Sequence, residues 1–342
     1  MIFDDENTIY KAIMNDDKES FIAFTEKKEF DKNQCIESEL YPESEEGYSF
    51  LELCCYHGAV DCFKFLRTKF NALITERCLS LSFLGGNPDI MSECLKMQKP
   101  FQKCMEYAII SHNIDFVTFL MNEYKLNINL ECCYQYNNLE VFLIYLDQTK
   151  NFNTCLISSP CFHIPSLCEY LISQKADVNA KNEQGKTPLH CAVECSDKVI
   201  AKLLISHGAD VNSNKYIFGA PLRYAIYYKD KEMVEFLLSN GADPKQKDLE
   251  SESLLQCAIN RNQKEIVELF IAKGVNINEI YASGETALHI AAASNNKEIT
   301  ELLIAHGVNI YAKDKNGETP LQIAEERNNE EVALLLKLHI KA

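Results

Sequence analysis

An all-α solenoid of stacked helix–turn–helix units is the fold class this sequence predicts, and three observations carry the prediction. The hexapeptide TPLHCA at 187 recurs as APLRYA at 220, SLLQCA at 253, TALHIA at 286 and TPLQIA at 319, each 33 residues after the last. In that register Leu189, Leu222, Leu255, Leu288 and Leu321 share one column and Ala192, Ala225, Ala258, Ala291 and Ala324 another, which makes both columns candidate core. Gly208, Gly241, Gly274 and Gly307 keep the same spacing. A fixed period of about 20 to 50 residues marks a repeat architecture, in which no unit buries its apolar face without a neighbour.

Within one period the elements follow in order. Thr187, Thr286 and Thr319 can cap a helix N-terminus, and Pro188, Pro221 and Pro320 fit the first turn, where a missing N–H costs nothing. A second apolar run, such as VIAKLLI (199–205) or MVEFLL (233–238), stops at the glycine column, which suits the left-handed position after a helix. Each period therefore reads as helix, tight turn, helix, long loop.

The TPLH-type motif, the 33-residue spacing and endings such as LLISHGADVN (203–212) closely resemble the ankyrin repeat. The resemblance implies β-turn loops between units and a glycine between the two helices. Ser196, Lys229, Asn262, Asn295 and Asn328 stand there instead. Asparagine tolerates positive φ, whereas serine and lysine are strained by it.

Stepping back 33 residues from Thr187 reaches Thr154, and CEYLISQKADVN (168–179) supplies a second helix, but Pro160 and Pro165 predict a broken first one. Further upstream, residues 48–66, 78–95, 104–120 and 130–146 each read as a pair of short helices, with SFLGGNPD (82–89) as an inter-helix turn. They resemble the degenerate ankyrin-like block that precedes regular repeats in large ankyrin families of parasitic flagellate protists. Residues 7–30 read as one more helix pair, an N-terminal cap. The stretch CIESELYPESEEG after it, with Glu37, Glu39, Glu43, Glu45 and Glu46, reads as an exposed acidic loop. The expected division is 1–47 cap and loop, 48–153 degenerate repeats, and 154–342 regular repeats ending in a cap, where Glu325, Glu326 and Arg327 replace more apolar residues.

Charge and composition narrow the function. The 34 basic and 50 acidic residues give a net charge of -16, which repels phosphate backbones and anionic membranes. The acidic opening MIFDDENTIY has no basic leader, and no 18-residue apolar run occurs, so a soluble cytoplasmic protein with no membrane insertion is expected. The 15 cysteines include no CxxC and read as free thiols of a reducing compartment.

The cluster His190, Cys191 and Cys195 raises a metal site, because ligands four apart share a helix face. The period argues against it: Arg223, Gln256, His289 and Gln322 fill the His190 column, and Tyr228, Arg261, Ser294 and Arg327 fill that of Cys195. No metal, cofactor or catalytic residue is assigned. His207 and His306, just before terminal glycines, suit helix C-termini, and no phosphate-cradling loop, HExxH or nucleophile elbow occurs.

The resemblance implies a non-catalytic scaffold or adaptor that binds a partner protein through loop tips and first-helix ends on the concave face. Those positions hold Tyr216, Ile217, Phe218, Tyr227, Tyr228, Leu249, Arg261 and Tyr281. Tyr227 and Tyr228 follow Ala225 by two and three residues, about 200 to 300 degrees of helix, and so turn away from the core. Aromatics and arginine dominate binding energies, which makes these residues the candidate partner site. A self-associating structural tether is the alternative reading.

Overall fold

Four backbone N–H groups are left over at the start of every helix, and this chain meets them with side-chain oxygens supplied again and again at one position of a repeating unit. The computed structural model describes residues 9–32, 34–36, 41, 47–214, 219–247 and 252–340. These form two compact units, Met1–Lys150 and Asn151–Ala342.

In the first unit a helix pair, α1 (Ile9–Met14) and α2 (Lys18–Thr25), precedes a two-residue antiparallel pairing of β1 (Cys35–Ile36) with β2 (Tyr48–Ser49), Ile36 opposite Tyr48. Four helix pairs follow: α3 (Phe50–His57) with α4 (Val60–Phe70), α5 (Glu76–Gly85) with α6 (Pro88–Leu95), α7 (Gln102–Ile110) with α8 (Ile114–Tyr124), and α9 (Leu130–Gln135) with α10 (Leu139–Thr149). First helices stack on first helices, α1 on α3 and onward to α9. Their contact faces bury Leu53, Leu79, Leu81, Phe83, Met105 and Ile109.

Local signals set the ends. Ser49 and Glu52 close a reciprocal capping box on α3. Ala59, before α4, has no side-chain acceptor, and the adjacent pair supplies one: the Asp61 and Cys62 amides donate to Asp16 Oδ1 at 2.9 Å each. The GGNP segment is an inter-helix turn, with Gly86 at φ 72° and Asn87 capping α6. Gly85 is required for close approach, since a Cβ there would lie 2.1 Å from the Cys55 carbonyl oxygen.

The second unit begins with α11 (Phe152–Ser158), a 3-10 turn (Ser159–Phe162) and α12 (Pro165–Ser173). The expected register fails here. Thr154 lies inside α11, capped by Asn151, whose Oδ1 accepts the Thr154 amide at 3.2 Å. Pro160 converts the end of the first helix into the 3-10 turn, while Pro165 breaks nothing because it occupies the first turn of α12.

Five regular pairs complete the unit: α13 (Pro188–Glu194) with α14 (Lys198–Ser206), α15 (Pro221–Tyr227) with α16 (Lys231–Ser239), α17 (Leu254–Asn260) with α18 (Lys264–Ala272), α19 (Ala287–Ala293) with α20 (Lys297–Ala305), and α21 (Pro320–Glu326) with α22 (Glu330–Ile340). The two periodic columns are core: Leu189, Leu222, Leu255 and Leu288 are at most 1% exposed and all five alanines are at 0%. Leu321, on the last first helix, is only half-buried.

Both turn columns have the backbone their positions demand. Ser196, Lys229, Asn262, Asn295 and Asn328 all sit in the left-handed region, φ 53° to 58°, and Gly208, Gly241, Gly274 and Gly307 reach φ 73° to 91°. The long loops carry tight turns. The Gly284 amide donates to the Tyr281 carbonyl at 2.9 Å and the Tyr281 amide to that of Glu285 at 2.9 Å, a pattern repeated around Gly185 and Gly317.

Adjacent units are also stitched by amides. Asn212 donates to the Gly241 carbonyl at 3.0 Å and accepts the Asp243 amide at 2.9 Å. Gln263, Asn296 and Asn329 each donate to a carbonyl of the preceding first helix, those of Ile226, Ile259 and Ala292. These bonds satisfy backbone groups that packing would otherwise leave buried and unpaired.

Candidate functional site

The ends of the first helices in the second unit bring side chains to the surface. In α15 the core positions are Leu222, Ala225 and Ile226, so Tyr227 and the closing residue Tyr228 emerge on the other side of the helix, 52% and 45% exposed. Their rings meet edge to face, with centroids 5.3 Å apart and planes at 78°. Buried Tyr224 lies beneath, 5.7 Å from the Tyr228 ring.

Arg261, which closes α17, holds this pair in place. Its guanidinium carbon lies 3.9 Å from the Tyr227 ring centroid and its Nη1 donates to the Tyr227 carbonyl at 3.3 Å. The arrangement is a cation–π contact with a second anchor on the backbone. On the opposite side the Tyr228 hydroxyl donates to Glu194 Oε1 at 3.2 Å, and Glu194 is ion-paired to Lys186. Burial and then the Glu194 carboxylate push the Tyr228 phenol up from its ordinary value, so it stays a neutral donor. The result is an aromatic centre fixed by groups from three successive repeats, with charged residues at its rim, the composition of a binding hot spot.

The remaining predicted site residues divide. Tyr216, Ile217, Phe218 and Leu249 lie outside the described residues. Tyr281 does not join the surface. It is 7% exposed, because the tight turn it opens carries its ring inward beside Ser253, and burial pushes its phenol up to about 12. The acidic segment with Glu37, Glu39, Glu43, Glu45 and Glu46 also lies outside the described residues.

His190 and Cys191 are interior groups of the repeat. His190 Nδ1 accepts from the Thr187 amide at 3.2 Å and lies 2.8 Å from Thr187 Oγ1, and Nε2 reaches the Gly219 carbonyl at 3.0 Å in the next repeat. His289 repeats this with Thr286 and the Glu318 carbonyl. Burial holds the His190 imidazole down to about 4, against the pull of the Gly219 carbonyl. His207, His306 and His339 donate from Nδ1 to carbonyls four residues back, His57 meets the Tyr41 hydroxyl, His112 the Tyr136 carbonyl and His163 Asp197. Each histidine thus has a structural bond. Among the described residues no group of three or more His, Cys, Asp or Glu side chains is placed to hold a metal.

Sequence reasoning missed a surface in the first unit. Tyr48, Glu52, Arg77, Phe101, Lys103 and Tyr107 line an open groove of about 730 Å³, and Tyr107, with Tyr56 and Tyr136, also lines a neighbouring one of about 500 Å³. Arg77 lies over Tyr48 and Lys103 over Tyr107, at 5.6 and 5.0 Å. The signal was an aromatic or basic residue on successive first helices, hard to see where the spacing is irregular.

Comparison with known proteins bears on the fold. A family model described as ankyrin repeats (3 copies) matches residues 159–248 and 254–342, and a domain of unknown function, DUF3447, matches residues 70–145. The chain is 33% identical to the crystal structure of an ankyrin repeat domain from Acinetobacter baumannii AYE, with a TM-score of 0.50 over 54% of this chain and 96% of that one. No curated protein matches. No helix among the described residues is long and apolar enough to cross a membrane. Ankyrin repeats are in general protein–protein interaction modules. With repeats matched over more than half of its residues, capped and stacked as described above, the chain belongs to the ankyrin-repeat family.

Proposed function

We propose that this chain is a non-catalytic scaffold or adaptor that binds a partner protein on the concave face of its regular repeats. One observation carries the reading: two tyrosines about half exposed on adjacent positions, with Arg261 stacked on one and Glu194 bonded to the other. Folding alone does not call for large aromatic surface at a helix end, and preorganised aromatics lose little conformational freedom on binding. The residues 48–153 serve in this reading as degenerate ankyrin-like repeats behind a cap of residues 1–47, and 154–342 carry the partner site. Fifteen free thiols support a reducing compartment, the cytoplasm.

The test compares affinity capture by the intact chain and by a Tyr227→Ala, Tyr228→Ala variant. The variant keeps its thermal midpoint and loses about 2 kcal/mol or more of partner affinity, the hot-spot threshold. Unchanged capture by a folded variant removes the site, and capture of only the chain itself, with a dimer mass by light scattering, selects the self-associating tether instead.

A further inference from the structure

Along one edge of the second unit, the residue closing a first helix reaches back, in three of the repeats, to the residue 34 positions earlier. Tyr228 reaches Glu194, Arg261 reaches the Tyr227 carbonyl and Arg327 the Ala293 carbonyl, at 3.2, 3.3 and 3.4 Å. Cys195 closes α13 in the same column, and the residue 34 positions before it is Cys161. The 3-10 turn that carries Cys161 packs directly on α13. Cys161 also packs against the core cluster of Ile157, Ala180 and Cys191, where Cys191 stands one helical turn before Cys195 on the same face of α13, and both of those thiols bear on its own.

We propose that Cys161 and Cys195 are an oxidation site, a thiol pair that a hydroperoxide closes into a disulfide between the first two repeats of the second unit. Both residues are partly exposed, so the oxidant can reach them, whereas Cys191 is 2% exposed. The first unit provides the contrast. There burial, with Cys78 and Cys94, pushes the Cys55 thiol up in a similar way, but all three cysteines are at 0% exposure and sealed from an aqueous oxidant. Within the open pair the roles differ. The neighbouring Cys161 thiol holds the Cys195 thiol below its ordinary value, against burial and the Glu194 carboxylate and with help from the Lys186 ammonium, while Cys161 is pushed up by Cys191 and Cys195. Cys195 is therefore the thiolate that reacts first.

The chemistry balances without a cofactor. The Cys195 thiolate attacks the O–O bond of the hydroperoxide and takes one oxygen as a sulfenic acid, and the other oxygen leaves as an alcohol or water after protonation. Cys161 then attacks the Cys195 sulfur, the S–O bond breaks, and the hydroxyl leaves as water with the Cys161 proton. Two thiols have given two electrons and the peroxide has been reduced.

The experiment treats the full chain, carrying Cys35→Ser to remove its one exposed thiol, with hydrogen peroxide, blocks residual thiols by alkylation, and maps non-reduced peptides by mass. The expected result is a dithiothreitol-reversible Cys161–Cys195 crosslink, formed about tenfold or more faster than any other cysteine is oxidised, as a contacting thiolate–thiol pair requires. Cys195→Ser leaves Cys161 reduced, and Cys161→Ser lets Cys195 run on to the sulfinic acid. A crosslink from Cys161 to Cys191, an intermolecular dimer, or intact thiols after the buried cysteines have begun to oxidise each overturn the proposal. The peptide map of the chain with both thiols present decides the matter even where a serine variant fails to fold.

Discussion

Acid should loosen the second unit through one imidazole. His190 is buried, with Nδ1 accepting from the Thr187 amide and Nε2 at the Gly219 carbonyl, so the neutral ring protonated on Nε2 fits and the charged ring does not. A proton on Nδ1 would face the Thr187 N–H head on, away from water and near Lys186 and Lys181, whose charges also disfavour it. The folded value of about 4 lies below the ordinary 6.5, so the unfolded chain binds the proton more readily. The stability from the neutral ring is then fully present above pH 6.5 and is lost as the pH falls from there towards about 4. Linkage over that interval amounts to about 3 kcal/mol in full, of which about 2 kcal/mol is gone by about pH 5.

His190→Gln isolates the effect, because glutamine occupies the same column at Gln322 and makes the same cap there, its Oε1 accepting the Thr319 amide at 2.9 Å. Urea unfolding of both proteins, at about pH 7.5 and about pH 5, should show the wild type losing about 2 kcal/mol more than the variant, carboxylate effects cancelling in the difference. Parallel losses would mean that the buried imidazole charges without cost, and the reasoning would fall.

The other expectations follow from packing and backbone. Leu288→Ala, at a fully buried position of the leucine column, should cost about 2 to 5 kcal/mol in urea unfolding, and under about 0.5 kcal/mol would contradict the register. Gly274→Ala has open space for a Cβ but sits at φ 73°, so only the left-handed penalty of about 1 kcal/mol applies, read from the shift of the urea midpoint. Gly85→Ala should cost clearly more by the same measurement, since its Cβ meets the Cys55 carbonyl oxygen and the backbones must move apart. Asp16→Ala removes the acceptor for the start of α4 and should destabilise the first unit by about 1 kcal/mol, visible as increased amide exchange at Asp61 and Cys62.

Much of the fold was readable in one dimension because the repeat makes each position its own control. A column that is leucine or alanine at every period faces the core, and a column running Ser, Lys, Asn, Asn, Asn between two apolar runs marks a forced reversal, found at φ 53° to 58°. The same logic dissolved the His190 and Cys191 metal site. Where the period lapsed, the rules misplaced boundaries: a step of 33 residues reaches Thr154, but that residue lies inside a helix capped by Asn151, and Pro165 begins a helix instead of breaking one. The candidate site was legible at Tyr227 and Tyr228, whose outward direction follows from helical rotation.

Three-dimensional contact decided the rest. Whether a loop aromatic points out or in depends on the turn that carries it, and Tyr281 went in. That Arg261 stacks on Tyr227, that Asp16 caps a helix 45 residues later, and that the turn carrying Cys161 packs on α13 depend on how far one helix pair is displaced along the next. Sequence by itself determined the helices, their order and their apolar faces, because those follow from backbone hydrogen bonding and local periodicity. The pairing of polar groups across neighbouring repeats was left to the tertiary structure, because a contact between residues 34 apart is set by the offset of two packed surfaces and not by any property of the residues themselves.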